Sequence, residues 1–212
     1  MNIELLIGVI SCYIIGSIPT AVIYGKFFHN IDVRNHGSGN AGATNTLRTL
    51  GKTAGFVVML FDVFKGWMAT ELASGLIYFD AINPNQLMLF KILFGIIAVV
   101  GHIFPVFAKF KGGKGIACLL GMILNINIEI ALICIGVFIV VFLLSRYVSL
   151  GSMIATLAFP IVIILFPRFN DGGPMVIVFA FAIFTIVVLT HQKNIIRLIN
   201  GEENKTRLGR KN

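Results

Sequence analysis

Residues 129–145 read EIALICIGVFIVVFLLS, and after Glu129 this run contains no charged residue. Its apolar residues are continuous rather than alternating, which is typical of a membrane-spanning helix and not of a strand in a membrane barrel. A helix needs roughly 17–25 residues of this kind to cross the hydrocarbon core of a bilayer. Several other stretches of the chain have a similar character. The sequence therefore predicts an all-α integral membrane protein.

The composition of the whole chain supports the same prediction. Hydrophobic residues make up 57% of the 212 positions and charged residues only 12%, whereas soluble proteins carry about 25% charged residues. A chain with so few charges cannot cover its folded surface with solvated groups, so lipid is the expected solvent. The net charge of +8 could indicate nucleic acid, but the basic residues lie between the apolar runs, as they do in membrane proteins. We therefore expect no nucleic-acid partner.

The apolar runs predict seven transmembrane helices in a single domain that comprises residues 1–212. Their approximate positions are 3–24, 54–79, 87–107, 115–125, 129–145, 149–166 and 174–191. Most basic residues then lie on one side of the membrane, in segments 26–52, 108–114, 146–148 and 192–212, while the opposite loops hold only Arg168. By the positive-inside rule the basic side is cytoplasmic, so we expect the N-terminus outside and the C-terminus in the cytoplasm.

The run at residues 115–125 is short for a transmembrane helix. At about 1.5 Å per residue it covers about 16 Å, against a hydrocarbon core of about 30 Å. Joining it to the next run would give one helix of about 47 Å and would move the basic tail outside. Seven spans therefore explain the charges better than six.

The longest polar segment between spans is residues 35–45, NHGSGNAGATN, which we call the first glycine loop. Glycines let backbone N–H groups approach a ligand closely, and successive N–H groups form a concave anion site. We expect Thr44 or Asn45 to cap a following helix whose N-terminus also attracts phosphate. Arg48 adds a guanidinium group, which is always positively charged and is suited to phosphate oxygens. The alternative is a flexible connector, which would not need an arginine beside interleaved glycines and amides.

A second glycine loop, residues 109–115, reads KFKGGKG. Lys111 and Lys114 offer point charges to a phosphate, but the spacing differs from that of a nucleotide-binding P-loop. The alternative is that these lysines only mark the cytoplasmic side. His102, shortly before this loop, is either a general base or a polar anchor at the end of its helix, and such a histidine is more often an anchor.

The end of the last span carries His191, Asn194 and Arg197 at every third position. On a helix these side chains lie along roughly one face, which suits anion binding or proton transfer. The alternative is an interfacial helix with snorkelling cations, and the tail from residue 194 to residue 212 has the pattern of a short surface helix. In an earlier cytoplasmic turn, Ser149 and Ser152 are candidates either for hydrogen bonds to a ligand or for capping the sixth span.

Asp62 and Lys65 lie three residues apart in the second span, so they can pair on one helix face. Charges at this depth are costly and indicate function by default, although a structural ion pair explains them equally well. The carboxylates are few and scattered, so we expect no metal centre. Together the polar segments indicate a binding site for a phosphate compound that is joined with a lipid. Such a site would suit a lipid phosphatase, a phosphotransferase or an anion transporter. A transporter would place its binding residues near the membrane midplane.

The ordered motifs resemble those of the bacterial acyl-phosphate:glycerol-3-phosphate acyltransferases, the small seven-span enzymes of phospholipid synthesis. The resemblance covers nearly the whole chain. It rests on residues 16–20 (GSIPT), 37–45 with Arg48, 101–107 (GHIFPVF), 110–115 (FKGGKG), 146–152 (RYVSLGS) and 191–197 (HQKNIIR). It implies transfer of a fatty acyl group from acyl phosphate to the sn-1 hydroxyl of glycerol 3-phosphate, giving lysophosphatidic acid and phosphate.

The resemblance also implies the site and the surroundings of the enzyme. We expect catalytic roles for Ser38, Lys114, His191 and Asn194. Substrate binding is expected of Gly39, Asn40, Gly42, Asn45, Arg48, His102, Lys111, Gly112, Gly113, Ser149 and Arg197. The family needs no cofactor, metal or acyl carrier protein. The expected partners are acyl phosphate, glycerol 3-phosphate and membrane lipid, and the expected location is the bacterial cytoplasmic membrane with the active site facing the cytoplasm.

Overall fold

The computed structural model describes residues 3–169 and 173–206. All of the regular secondary structure in these residues is helical. The ten α-helices are α1 (Ile3–Gly16), α2 (Thr20–His29), α3 (Ala43–Leu50), α4 (Lys52–Tyr78), α5 (Leu87–Ile103), α6 (Ile116–Ile126), α7 (Ile128–Ser145), α8 (Val148–Leu165), α9 (Pro174–Thr190) and α10 (Gln192–Ile199). They form two compact units, of which the first ends at Ile128 and the second begins at Glu129.

The first predicted span, residues 3–24, is not one continuous helix. Helix α1 ends at Gly16, α2 begins at Thr20, and the two are bent by 42°. Pro19 causes the break because it has no N–H to donate and because its ring restricts the backbone of Ile18. The run predicted as the first span therefore consists of two helices, and α2 continues to His29.

Three helical segments of the described residues are long and apolar enough to cross a membrane. They are Pro84–Ala108, Ile128–Ser145 and Val148–Leu165. The number rises to five if the bent pairs α1–α2 and α9–α10 each count as one span. Helix α6 has only 11 residues, so the short run was identified correctly from the sequence. The seven-span count stays a prediction.

Helix α4 is the centre of the first unit, where it packs against α1, α3, α5 and α6. Glycines allow these helices to approach one another closely. A Cβ at Gly66 of α4 would lie 1.9 Å from the carbonyl oxygen of Cys118 in α6, and a Cβ at Gly16 would lie 2.1 Å from that of Ala98 in α5. Because no side chain fits between these backbones, small residues set the helix packing, as is common among membrane helices.

The second unit comprises α7 to α10, with α8 packed against α9. The chain bends by 64° between α9 and α10, and His191 occupies the bend. After α10, Gly201 adopts a positive φ of 73°, which favours glycine, and the chain turns back. The backbone N–H of Thr206 then donates to the carbonyl of Arg146, at 2.9 Å, so the tail returns to the turn between α7 and α8.

Candidate functional site

The two glycine loops lie side by side in the first unit. The backbone N–H of Ala41 donates to the carbonyl of Gly112, at 3.4 Å. Arg34, just before the first loop, donates from Nη1 to the carbonyl of Ala108, at 2.8 Å. Asp32 holds the other side of that guanidinium, with 2.6 Å between Nη2 and Oδ2. Two segments that are about 70 residues apart in sequence therefore form one polar surface, as expected for loops that serve the same ligands.

Asn45 holds the first glycine loop together from inside. Its side chain is buried, its Oδ1 accepts from the backbone N–H of Ser38 at 2.8 Å, and its Nδ2 donates to the carbonyls of Val33 and His36. Helix α3 begins at Ala43, with Gly42 as its N-cap and no capping side chain. The prediction that Thr44 or Asn45 caps this helix is therefore wrong, because Asn45 uses its amide on the loop instead.

The exposed part of the first glycine loop presents backbone rather than side chains. Gly37 and Gly39 have positive φ values of 60° and 73°, and a Cβ at Gly37 would lie 2.3 Å from Asn45 Oδ1. Ser38 and Gly39 are exposed, whereas Asn40 and Arg48 are half-buried. The N–H of Ser38 donates to Asn45 and that of Gly39 donates to the carbonyl of His36, at 3.1 Å, so the two left-handed glycines fix the shape of the loop.

The second glycine loop is fixed by the end of α5. The backbone N–H groups of Gly112 and Gly113 donate to the carbonyls of Ile103 and His102, at 3.2 and 3.1 Å. A Cβ at Gly113 would lie 2.1 Å from His102 Nε2, so the loop rests directly on the imidazole ring. His102 itself is buried. This placement supports the reading of His102 as a polar anchor rather than a group that touches substrate.

The lysines of the second glycine loop stand at the start of α6. Lys111 is exposed and Lys114 is half-buried, and α6 begins at Ile116 after Gly115, whose φ is 84°. A helix N-terminus has unpaired N–H groups and a partial positive charge, so it attracts phosphate together with the two ammonium groups. The first unit thus brings two glycine-rich segments with basic residues next to each other.

A carboxylate that the sequence did not single out organises the second unit. Glu203 Oε1 accepts from Ser149 Oγ at 2.9 Å and from Asn194 Nδ2 at 2.7 Å. Glu203 Oε2 accepts from Arg197 Nε at 2.8 Å. Asn194 and Arg197 do share one helix face, as predicted. The prediction that Ser149 or Ser152 caps α8 is wrong, since Tyr147 is the N-cap and no side chain caps the helix.

Glu203 is ionised at neutral pH despite its burial. Burial acts to raise its pKa, but the hydrogen bonds from Arg197, Asn194 and Ser149 outweigh this effect and lower the pKa below its ordinary value. Little in the sequence indicates that Glu203 has this role. Glu203 is one of two adjacent acidic residues in a basic tail, and its partner in α8, Ser149, lies 54 residues away.

His191 is buried at the bend between α9 and α10. Its Nδ1 lies 2.8 Å from the carbonyl oxygen of Val187. Because a carbonyl oxygen can only accept, Nδ1 carries the hydrogen, and in the neutral ring the lone pair is on Nε2. This arrangement orients the ring and suits Nε2 to accept a proton or a hydrogen bond. His191 is the N-cap residue of α10, three residues before Asn194.

The predicted site residues thus fall into two sets. Those in the first unit are Ser38, Gly39, Asn40, Gly42, Asn45, Arg48, His102, Lys111, Gly112, Gly113 and Lys114, and those in the second unit are Ser149, His191, Asn194 and Arg197. Among residues 3–169 and 173–206, no three His, Cys, Asp or Glu side chains are grouped so as to hold a metal ion.

Comparison with known proteins identifies the family. A curated glycerol-3-phosphate acyltransferase of Chlorobaculum tepidum is 38% identical and covers 96% of this chain and 97% of its own length. That of Bacillus cytotoxicus is 41% identical, with 95% of both chains covered. The crystal structure of PlsY (YgiH), an integral membrane glycerol 3-phosphate acyltransferase, in its glycerol 3-phosphate form has a TM-score of 0.81 at 34% identity, with 95% of both chains covered. Its lysophosphatidic acid form gives a TM-score of 0.78 at 33% identity.

The similarity extends through both units and all the glycine-loop and tail motifs. The family model for glycerol-3-phosphate acyltransferase matches residues 6–201. The apolar helices, the paired glycine loops and the whole-length relatives agree with one another. The chain belongs to the glycerol-3-phosphate acyltransferase family, whose members are integral membrane acyltransferases of phospholipid synthesis.

Proposed function

We propose that this protein transfers a fatty acyl group from acyl phosphate to the sn-1 hydroxyl of glycerol 3-phosphate. The products are lysophosphatidic acid and inorganic phosphate. The observation that carries the proposal is the junction of the two glycine loops, where Ala41 N–H meets the Gly112 carbonyl at 3.4 Å. Both proposed substrates carry a phosphate, and the junction joins two glycine-rich segments with basic residues. The solved relative's forms with glycerol 3-phosphate and lysophosphatidic acid match an acceptor and a product.

Each glycine loop has a proposed ligand. The first holds the phosphate of one substrate, through Ser38, Gly39, Asn40, Gly42 and Arg48, with Asn45 maintaining the loop's shape. The second holds the phosphate of glycerol 3-phosphate through Lys111, Gly112, Gly113 and Lys114. Fixed cations suit phosphate in this setting because they need little rearrangement when the ligand binds. The N–H groups of Gly112 and Gly113 donate to Ile103 and His102, so these glycines hold the loop that carries the lysines.

The reaction needs positioning more than covalent catalysis. Acyl phosphate is an activated mixed anhydride, so the carbon-1 hydroxyl oxygen can attack its carbonyl carbon directly once both substrates are held together. The bond between the carbonyl carbon and the phosphate oxygen then breaks. Cations and N–H groups stabilise the charge that develops on the carbonyl oxygen and on the departing phosphate.

We further propose that a phosphate oxygen of the donor accepts the hydroxyl proton, so that phosphate leaves already protonated. His191 and Asn194 then orient the reacting groups, with Ser149 and Arg197 fixing Asn194 through their shared partner Glu203. His191 is the alternative base, since its Nδ1 contact with the Val187 carbonyl fixes the orientation of the imidazole. If the donor phosphate accepts the proton, loss of the imidazole leaves most of the turnover, whereas if His191 accepts it, turnover is lost.

The choice of donor is tested with purified protein in lipid nanodiscs. Palmitoyl phosphate, palmitoyl coenzyme A and palmitoyl acyl carrier protein are each supplied with glycerol 3-phosphate, and lysophosphatidic acid is quantified by mass spectrometry. We expect product from palmitoyl phosphate alone, with ¹³C NMR placing the acyl group on carbon 1. Product from a thioester donor at a comparable rate would contradict the proposed donor while leaving the family assignment intact.

We propose that the protein is one transmembrane domain of seven spans in the bacterial cytoplasmic membrane, with its glycine loops facing the cytoplasm. The distribution of basic residues supports this orientation, and the family model covers both units. Single-cysteine variants test it, because Cys12, Cys118 and Cys134 are buried and can be replaced.

Three exposed positions serve as reporters of sidedness. Lys111→Cys and Lys193→Cys lie in segments predicted to be cytoplasmic, and Asn85→Cys lies in an opposite loop. A membrane-impermeant maleimide is expected to label the two lysine positions only in inside-out vesicles and Asn85→Cys only in right-side-out vesicles. Labelling of position 111 from the exterior would overturn the orientation.

A further inference from the structure

The first unit contains a buried charged cluster that none of the roles above uses. Asp62 and Lys65 on α4 are 1% and 4% exposed, and His102 near the end of α5 is 5% exposed. Lys65 Nζ lies 2.8 Å from Asp62 Oδ1, which confirms the predicted pairing. Removing two charges from solvent costs several kcal/mol per ion before their attraction is counted, so such a pair is poor evidence of a stability gain. In the proposed second membrane span, such a pair indicates a functional role.

Asp62 connects three segments of the chain through a single oxygen. Oδ1 accepts from Lys65 Nζ and from Thr20 Oγ1, the latter at 3.0 Å, and it lies 3.6 Å from His102 Nδ1. The contact with His102 is electrostatic rather than a hydrogen bond, because Nδ1 lies beyond hydrogen-bond distance of the carboxylate oxygen. Lys65 also donates to the carbonyl of Ile18, at 2.9 Å, in the break between α1 and α2.

His102 carries the connection from Asp62 to the second glycine loop. One ring nitrogen faces Asp62, and the other lies against Gly113, where a Cβ would come within 2.1 Å. The backbone carbonyl of the same residue accepts from Gly113 N–H at 3.1 Å. The next link is the Gly112 carbonyl, which accepts from Ala41 of the first glycine loop. A contiguous chain of contacts therefore runs from the buried carboxylate to both loops.

We propose that Asp62 is a positioning residue for the glycerol 3-phosphate site. Its carboxylate orients the His102 imidazole, and the imidazole supports the second glycine loop in the conformation that presents Lys111 and Lys114 to phosphate. Lys65 balances the charge of Asp62 and fixes α4 to the break between α1 and α2. This inference rests on the proposed assignment of the second glycine loop to glycerol 3-phosphate.

A purely structural ion pair makes a different prediction from a positioning residue. Loss of a structural pair lowers thermal stability and leaves substrate affinity in the folded protein unchanged. Loss of a positioning residue weakens the binding of glycerol 3-phosphate selectively, because the His102 ring rests against the second glycine loop and reaches the first only through Gly112. The affinity for the acyl donor and the turnover number at saturating acceptor then stay close to wild type.

The test compares two variants that remove the charge with one that removes a different charge from the same helix. Asp62→Asn keeps the shape of the side chain. The double variant Asp62→Asn, Lys65→Met leaves no unpaired buried charge and so protects against misfolding. Glu71→Gln is the matched control, because Glu71 lies on α4 but contacts Lys91 and Asn125, at 3.4 and 2.7 Å, away from both glycine loops.

Glycerol 3-phosphate affinity is measured by calorimetry on the full-length protein in detergent, together with KM for both substrates and kcat. We expect both Asp62 variants to weaken the binding of glycerol 3-phosphate by about tenfold or more. We expect KM for palmitoyl phosphate and kcat to stay within about twofold of wild type. Glu71→Gln is expected to match wild type in all of these quantities.

Two results would overturn the inference. One is wild-type affinity for glycerol 3-phosphate in folded Asp62 variants, even if their melting temperature falls. The other is an equal loss of affinity for both substrates, which would indicate a general disruption of the structure. The binding measurement also separates this inference from the proposed donor. A wild-type protein that binds glycerol 3-phosphate but does not use palmitoyl phosphate rejects the donor alone, whereas one that binds no glycerol 3-phosphate rejects both.

Discussion

Replacing Glu203 by glutamine removes the charge at the centre of the second unit while keeping the size of the side chain. The amide oxygen can take the place of Oε1 and still accept from Ser149 and Asn194. The amide nitrogen then replaces Oε2, where Arg197 Nε donates at 2.8 Å in the native protein. Two donors face each other at this position, so the hydrogen bond between residues 197 and 203 is lost.

The magnitude follows from the single contact that is lost. A hydrogen bond to a charged group contributes about 1.5–3 kcal/mol. The carboxylate is nearly buried, with 3% of its side chain exposed, and the guanidinium is 31% exposed, so water replaces only part of the contact. We expect about 2 kcal/mol of destabilisation. For a chain of 150–250 residues this lowers the melting temperature by about 4–8 °C.

The native cysteines provide the assay. All three are buried, so a thiol-reactive fluorophore reports unfolding as they become accessible during heating. Glu202→Gln is the matched control because it removes the same charge from the adjacent exposed position, and we expect it to shift stability by less than about 0.5 kcal/mol. Equal melting temperatures for Glu203→Gln and Glu202→Gln would refute the role assigned to Glu203.

Three further predictions follow from single contacts. Gly113→Ala places a Cβ 2.1 Å from an imidazole nitrogen and is expected to raise KM for glycerol 3-phosphate at least about tenfold, whereas Gly75→Ala, with open space around its Cβ, should match wild type in the same assay. His191→Gln is expected to retain most of kcat with palmitoyl phosphate if the donor phosphate accepts the proton, and near-complete loss with intact substrate binding would identify the imidazole as the base. The hydrogen bond from Arg34 lowers the pKa of Asp32 to about 2, against about 3.9 in an unfolded chain. The stability that this pair contributes is present above the unfolded pKa and is lost as pH falls through the folded value. The difference in melting temperature between wild type and Asp32→Asn should therefore be constant from about pH 6 to 8 and shrink below about pH 4.

The sequence predicted those features that depend on local pattern. The continuous apolar runs identified the helical membrane class, and the three-residue spacing of Asp62 and Lys65 identified their ion pair. The grouping of the two glycine loops was also predicted, because both carry basic residues that share a side of the membrane. Each of these inferences needs only helix periodicity or the positive-inside rule.

Other features depend on contacts between distant segments and could not be read from the sequence. The tail carboxylate of Glu203 meets α8 only because Gly201 reverses the chain after α10. Asparagine often caps helices, but the oxygen and the nitrogen of the Asn45 amide both form hydrogen bonds inside the first glycine loop. The break at Pro19 was a local signal, since proline seldom continues a helix, and the length of the apolar run obscured it.

Direct acyl transfer between two phosphate-bearing substrates is the claim on which the whole account depends. The most direct measurement is the stoichiometry of one reaction, in which purified protein is incubated with palmitoyl phosphate and glycerol 3-phosphate, and lysophosphatidic acid and inorganic phosphate are quantified together. The account predicts equal amounts of the two products, with phosphate release that depends on glycerol 3-phosphate. Phosphate release without lysophosphatidic acid, or neither product from protein that melts cooperatively, would contradict it.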